Sequence, residues 1–301
     1  MPLETVVCDL CGCAQTHPLL TVEDRIYGLP GKFKLVRCDE CGLVFLNPRP
    51  DRASIGLYYP DLDYHAFQKP AAWKEALLAR RNTREAERLL ADRGSGSTTV
   101  LEIGCGTGDL LGALHAGGAS VTGIEPNEAA AQTARDAGLD VRTGMLDSHI
   151  AGLPPGGFDV ILMKYALEHV HSPRETLSQA ARLLRAGGTA VFWIPNFASL
   201  DARLFGAAWR GLDAPRHLYI FTPKTISAYA QAVGLRVAAI SYSGVPNDWA
   251  GSVEFALKPR AAKLTALFGV GNPLMLAAWL PVSAAAAALR RAGRMRVTLT
   301  H

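Results

Sequence analysis

Four cysteines stand in two matching pairs, Cys8-Asp-Leu-Cys11-Gly and Cys38-Asp-Glu-Cys41-Gly, with 26 residues between them. Four thiolates in two such turns suit a tetrahedral zinc ion. A closed set of sulfurs makes the site structural, because a catalytic zinc keeps one position open. Cys13 lies close to the first pair as an alternative ligand. Neither pair heads a helix in a thioredoxin-like unit, which argues against redox chemistry. The second chemical feature is a glycine turn. Val100 to Asp109 runs from an apolar stretch through Gly104, Gly106 and Gly108 into the start of a helix. A dinucleotide fingerprint would need glycine at the position of Asp109. Glycine permits positive φ and close approach of a ligand to the backbone, so the turn suits a nucleoside-type cofactor other than NAD. Glu125 follows 17 residues after Gly108. At the end of the next strand its carboxylate could accept two hydrogen bonds from ribose hydroxyls. Cys105, inside the turn, reads as a small packed residue.

Alternating strands and helices position these groups. Strands are expected at 98–103, 119–124, 140–142, 158–163, 189–194, 235–242 and 294–300. Between them, helices are expected near 108–116 and 127–137. A third opens at the capping box Ser172-Pro173-Arg174-Glu175 and closes at Gly187, and a fourth runs from Thr222-Pro223 to Gly234. This pattern predicts an α/β fold, a doubly wound, Rossmann-like, seven-stranded, mostly parallel sheet. An N-terminal zinc ribbon precedes it, and a helical insertion interrupts it before the last strand. The expected divisions are a ribbon module at 1–50, a bridging or lid region at 51–97, the core at 98–244, the insertion at 245–293 and the terminal strand at 294–301. Ligands of such sheets bind outside the carboxyl ends of the strands. The loops after 103, 124, 142, 163 and 194 therefore define the candidate site.

The segments VLEIGCGTGDLL (100–111), VTGIEPN (121–127), GFDVILMKYALEHV (157–170) and RLLRAGGTAVFWIPN (182–196) together resemble the class I S-adenosylmethionine-dependent methyltransferases. The resemblance spans roughly residues 70–242. It implies S-adenosylmethionine as cofactor. By motif position Gly104, Gly106 and Gly108 would line its methionine part, and Glu102 and Lys164 are further cofactor-binding candidates. Glu125 would hold the ribose, and Asp147 with the Met145–Leu146 backbone would face the adenine. A zinc ribbon ahead of such a domain is similar to methyltransferases of glycan and secondary-metabolite pathways, and RCDECGLVFLNPRP (37–50) carries that look. This favours a sugar, a glycan intermediate or a related small metabolite as acceptor. An rRNA or tRNA methyltransferase is the alternative. Against it, the ribbon mixes Asp9, Asp24, Asp39 and Glu40 with Arg25, Lys32, Lys34 and Arg37 instead of presenting a basic patch. A non-catalytic cofactor-binding scaffold is a third reading, opposed by the intact cofactor motifs.

Methyl transfer is an in-line displacement, so alignment supplies much of the catalysis and a hydroxyl acceptor gains from a base. Tyr165, Glu168 and His169 follow the fourth strand, and Pro195-Asn196 the fifth. The interlude 197–221 carries Trp209, Arg216, His217 and Tyr219. Insertions at this face commonly contact substrate. His217, His169 and Tyr165 are the catalytic candidates, and Asn196, Trp209, Arg216 and His217 the substrate-binding ones. Arg216 suits a phosphate or carboxylate. Tyr58, Tyr59 and Tyr64 form either a lid or domain-interface packing.

The net charge is +4, with 31 basic and 27 acidic residues, too mild to argue for nucleic acid. After Glu254 no acidic residue occurs, while Lys258, Arg260, Lys263, Arg290, Arg291, Arg294 and Arg296 are all basic. Leu264 to Leu289 is a 26-residue run without charge. Gly269, Gly271, Pro273 and Pro281 interrupt it, which argues against a spanning helix. The segment 256–292 instead suits either contact with a membrane surface or a homodimer face. No signal peptide is visible at the start of the sequence. The expectation is a cytoplasmic protein, peripheral at the inner membrane face if the insertion touches lipid.

Overall fold

A computed structural model describes residues 2–59, 72–91, 97–258, 265 and 267–301. Tyr64, Arg260 and Lys263 lie outside the described residues. The N-terminal region contributes β1 (Leu3–Glu4), β2 (Thr16–Val22), β3 (Phe33–Cys38), β4 (Val44–Leu46) and β5 (Arg49–Pro50). Helix α1 (Ala72–Leu90) then leads to β6 (Thr99–Ile103), α2 (Asp109–Ala116), β7 (Ser120–Glu125), α3 (Glu128–Asp136), β8 (Val141–Thr143) and α4 (Leu146–His149). The second half holds β9 (Phe158–Lys164), α5 (Pro173–Leu183), β10 (Leu184–Pro195), α6 (Leu200–Phe205), β11 (Tyr219–Ile220), α7 (Pro223–Ala232) and β12 (Arg236–Ser243). Last come α8 (Pro246–Leu257), α9 (Pro273–Ala288) and β13 (Arg294–Thr300).

The main sheet has seven strands in the order β12-β13-β10-β9-β6-β7-β8. Strands β6 to β10 are parallel, and β13 runs antiparallel between β10 and β12. The order reverses between β6 and β9, so the loops after these two strands open on one crevice. Val160, Ile161, Leu162 and Met163 of β9 are all fully buried, as expected for a central parallel strand covered on both faces. Strand β13 instead alternates, burying Met295, Val297 and Leu299. That period of two leaves Arg294 and Arg296 on the other face.

Two local expectations need correction. Helix α5 ends at Leu183, and Gly187 lies inside β10, where a bulge shifts the register between Leu184 and Thr189. Its φ of +78° serves that kink and not a helix cap. Ser172 makes no side-chain capping bond, although Pro173 does take the first turn. The capping box appears instead at α7, where Thr222 and Thr225 bond reciprocally.

A separate four-stranded sheet has the order β11-β4-β3-β2. Its edge strand β11 comes from the interlude 197–221, nearly two hundred residues after β2. The cysteine-bearing region is thus stitched to the segment that carries His217. Arg49 strengthens the seam by donating to the His171 carbonyl at 2.9 Å and to the Tyr219 hydroxyl at 2.7 Å. Helices α8 and α9 pack on each other before β13, with Trp249 stacked on Trp279 at 5.2 Å. No helix among the described residues is long and apolar enough to cross a membrane.

Candidate active site

The two cysteine turns are conformational copies. Gly12 donates to the Cys8 carbonyl at 2.8 Å and Gly42 to the Cys38 carbonyl at 3.1 Å. Both glycines hold φ of +77°, a conformation that side chains other than glycine rarely adopt. Cys8 Sγ lies 3.4 Å from Cys41 Sγ, and Cys11 Sγ lies 3.5 Å from Cys38 Sγ. All four sulfurs fall within 4.8 Å of one another. Sulfurs at about 2.3 Å from a tetrahedral zinc would be about 3.8 Å apart, so the donor set fits that ion. Cys13 points elsewhere, with its thiol donating to Gln15 Oε1 at 3.2 Å.

A cavity of about 830 Å³ opens at the carboxyl ends of β6, β7, β9 and β10. The glycine turn forms one wall. Gly104 has φ of +75°, and a Cβ there would stand 2.7 Å from the Ala166 Cβ, so both conformation and space require glycine. Gly106 donates its amide to Glu125 Oε2 at 2.8 Å, and Asn127 donates to Oε1 at 2.9 Å. These bonds fix the carboxylate and leave further lone pairs toward the cavity. Burial raises the pKa of Glu125, and the two amides work against that rise. Met145, Leu146 and Asp147 line the same end, with Asp147 ion-paired to Arg52 at 3.0 Å.

Glu102 and Lys164 form the floor beside the turn. Burial pushes the Glu102 carboxyl up to about 8 and holds the Lys164 ammonium below its ordinary value. Lys164 donates to Asn82 of α1 at 3.1 Å, and Glu102 Oε2 has no hydrogen-bond partner. An unpartnered buried carboxylate oxygen next to a lysine fits a site for an amino-acid ligand with its own ammonium and carboxylate. Gly108 departs from expectation, because it does not line the cavity. It caps α2 with φ of +82°, and an added Cβ would meet Leu139 at 2.7 Å and Ala134 at 3.0 Å. Its role is close packing of α2 against α3 and the following loop.

The opposite wall gathers Tyr59, Tyr165, Glu168, His169, Trp209, Asp213, His217 and Arg294. Both oxygens of Glu168 are buried without a hydrogen-bond partner, and burial pushes its carboxyl up to about 8. Burial first, and then His217, push the His169 imidazole down to about 3, so it is neutral. Its Nδ1 faces the Arg216 carbonyl at 3.1 Å and the Tyr59 hydroxyl at 2.9 Å. The His217 ring meets His169 edge-on at 4.6 Å, and its Nδ1 lies 2.9 Å from the Gly211 carbonyl. Tyr165 has φ of +56°, an unusual conformation for a tyrosine. Its hydroxyl accepts from Arg294 at 3.2 Å, and Arg294 is in turn paired to Asp248 at 2.6 Å. Tyr58 packs on Phe33 at 5.6 Å, whereas Tyr59 enters the cavity.

Two substrate candidates lie outside the cavity lining. Arg216 is fully buried and bonded to Asp24 and Asp213 at 2.8 and 2.6 Å, with its guanidinium 4.6 Å from the Tyr27 ring centre. With its donors committed to two carboxylates, it clamps the N-terminal region to the interlude and does not receive an anion. Asn196 donates to the Ala292 carbonyl at 3.0 Å and accepts from Ala198 at 3.0 Å, bracing the end of β10. Trp209 borders the cavity, with its indole nitrogen donating to Asp201 at 2.8 Å. Asp213 and Arg294 join the site without a sequence motif of their own, beside Tyr59 of the tyrosine cluster. The spacing Asp213-x-x-Arg216-His217 was the one local signal for Asp213.

A family model described as a methyltransferase domain matches residues 63–240, more than half of the chain. The chain belongs to the methyltransferase domain family. Its relatives include the ubiquinone biosynthesis O-methyltransferases of Aromatoleum aromaticum and Pseudomonas paraeruginosa. The first is 33% identical over 162 residues, half of this chain and 69% of the relative. The second is 34% identical over 159 residues, 49% of this chain and 68% of the relative. Among solved structures, a SAM-dependent methyltransferase from Archaeoglobus fulgidus shares the fold with a TM-score of 0.51 at 18% identity. That match covers 75% of this chain and 94% of the other. This methyltransferase is therefore an S-adenosylmethionine-dependent enzyme with the expected Rossmann-like sheet. None of these relatives supports a sugar or glycan acceptor.

Proposed function

We propose that the chain transfers the methyl group of S-adenosylmethionine to a hydroxyl oxygen of a small acceptor, and that the ribbon thiols hold a structural zinc. The observation that carries the acceptor reading is the buried group Glu168, His169 and His217 in the same cavity as the glycine turn and Glu125. The names of the relatives, O-methyltransferases, agree with it. Bound cofactor would supply an electrophilic methyl group. Glu102 and Lys164 would meet its methionine part, Gly104 and Gly106 would let it approach the backbone, and Glu125 would hold the ribose. Met145, Leu146 and Asp147 would border the adenine. The acceptor hydroxyl would rest against Glu168, His169 and His217, and the neutral His169 ring beside His217 offers it hydrogen-bond partners as its proton leaves.

The test is binding of S-adenosylhomocysteine by calorimetry, followed by labelled methyl transfer into a panel of phenols, catechols and sugars. Glu125→Ala removes a charged acceptor of two ribose bonds, each worth about 1.5–3 kcal/mol, so affinity falls by about 100-fold or more. Unchanged affinity in that variant contradicts the donor assignment. Transfer to nitrogen or carbon acceptors only contradicts the hydroxyl reading.

A second proposal concerns the insertion. Leu274, Leu280 and Leu289 are 78%, 56% and 67% exposed, and Arg290 and Arg291 follow them. We propose that these exposed leucines and the arginines after them rest on an anionic membrane surface. Flotation with vesicles containing phosphatidylserine should carry the wild-type chain and leave a Leu274→Asp/Leu289→Asp variant behind. Equal flotation of both, or of neither, contradicts it.

A further inference from the structure

Two sets of metal-ligating side chains converge among the described residues. One is the ribbon cysteines; the other is Glu168, His169 and His217, inside the acceptor end of the cavity. In the second set one carboxylate oxygen and one nitrogen from each ring lie within 4.8 Å of one another. Three features of its surroundings point to a ligand.

The carboxylate comes first. Glu168 is 1% exposed, and neither oxygen accepts a hydrogen bond. Buried polar groups are almost always satisfied, and an exception calls for a missing partner. A cation would be that partner. The ring nitrogens are the second feature. A carbonyl oxygen only accepts, so the Nδ1 atoms facing Arg216 O at 3.1 Å and Gly211 O at 2.9 Å carry the protons. In a neutral ring the lone pair then falls on Nε2, and a cation would displace any proton that the His217 Nε2 holds toward Glu168 and Asp213. Metal-binding histidines are ordinarily oriented in this way, with the far N–H donating to a backbone carbonyl or carboxylate.

The third feature is the rigid frame. Nε2 of His217 lies 3.9 Å from Glu168 Oε1 and 3.9 Å from Asp213 Oδ2. Asp213 sits at φ of +32°, a conformation uncommon outside glycine. Its other oxygen, Oδ1, is bound by Arg216, which Asp24 also grips. Tyr59 braces His169 from the other side at 2.9 Å. The N-terminal region thus supplies two groups, Asp24 and Tyr59, that hold this cluster in place.

We propose that Glu168, His169 and His217 bind one divalent first-row cation, with Asp213 beside it, and that this cation receives the hydroxyl oxygen of the acceptor. Two imidazoles and a carboxylate suit Mn²⁺, Fe²⁺ or Zn²⁺ better than Mg²⁺. The role of the cation rests on the hydroxyl-acceptor reading above; its binding rests on the geometry alone. A hydroxyl oxygen on a dication loses its proton far more readily. The proton passes to water. The acceptor oxygen then forms its bond to the methyl carbon while the sulfur–methyl bond breaks, and that electron pair stays on sulfur. The products are the methyl ether, S-adenosylhomocysteine and one proton, with no change of oxidation state.

The experiment loads the full chain with one equivalent of Zn²⁺ for the thiols. It then titrates Mn²⁺, followed by electron paramagnetic resonance, in parallel with S-adenosylhomocysteine calorimetry. The wild type should take up one Mn²⁺. Glu168→Gln and His217→Gln should each weaken that uptake at least 10-fold while S-adenosylhomocysteine binds within twofold of wild type, which also shows that the variants are folded. Absence of Mn²⁺ uptake by the wild type, with S-adenosylhomocysteine still bound, overturns the cation site and leaves the methyltransferase reading standing. Uptake unchanged in both variants overturns it too, since the ion would then lie elsewhere. Loss of S-adenosylhomocysteine binding in the wild type strikes the donor assignment, and Mn²⁺ uptake then decides the cation site alone.

Discussion

The donor half of the cavity draws Glu102, Gly104, Gly106, Glu125 and Met145–Asp147 from 46 consecutive residues, and adds Lys164 from the end of β9. The acceptor half draws Tyr59, Glu168, His169, Asp213, His217 and Arg294 from across most of the chain. In the donor half, strand ends and the short turns after them do most of the positioning, with Asp147 to Arg52 and Lys164 to Asn82 as long-range additions. In the acceptor half, the decisive contacts are long-range: Asp24 to Arg216, Tyr59 to His169, Arg294 to Tyr165. The methyl donor site is thus built mainly on the sheet, whereas the acceptor site depends on the N-terminal region being docked.

The change with the largest expected effect attacks that docking. Arg216→Ala leaves Asp24 and Asp213 buried without their shared cation. Breaking a buried ion pair from one side costs about 3–5 kcal/mol, so urea unfolding should show a loss of that size. A loss below about 1 kcal/mol would mean the clamp is unimportant and the two halves are not built differently. A smaller effect is expected at Gly108. Gly108→Ala forces a side chain into φ of +82° and against Leu139 and Ala134, costing about 1–3 kcal/mol. Because Gly108 does not line the cavity, S-adenosylhomocysteine affinity of the folded variant should change little. A large loss of affinity at unchanged stability would return Gly108 to the ligand wall.

A third break in the comparison is read from the pH dependence. The folded-state pKa of Glu102, about 8, lies above that of an exposed glutamate. Between the ordinary glutamate range and pH 8 the folded chain therefore binds more protons than the unfolded one. Stability is lost as pH rises through that window. Glu102→Gln should flatten this part of the slope in thermal melts of the unliganded protein between pH 5 and pH 8. The same slope in the variant would show that Glu102 is ionised throughout.

The same contrast governs how much was legible in the sequence. The seven strands follow from apolar runs and glycine punctuation, and β13 is found at 294–300 as expected. The glycine turn and Glu125 are read from spacing because their geometry is set within a few residues. Gly187 misled because a glycine after an amphipathic helix looks the same whether it caps that helix or kinks the next strand. Arg216 misled for a different reason. A lone arginine in a polar interlude suggests an anion, but its partner Asp24 stands 192 positions earlier, and no local pattern announces that pair. Asn196 likewise spends its side chain on the backbone at Ala292 and Ala198. His169 and His217 were visible as candidates, but their edge-on meeting required the fold that returns β11 to the N-terminal four-stranded sheet.

The most direct test of this division is one variant measured two ways. His217→Gln, in the acceptor half, should bind S-adenosylhomocysteine within twofold of wild type by calorimetry while methyl transfer to the acceptor falls by at least 100-fold. Equal losses of binding and transfer, or transfer left intact, would contradict the account of two separately built halves.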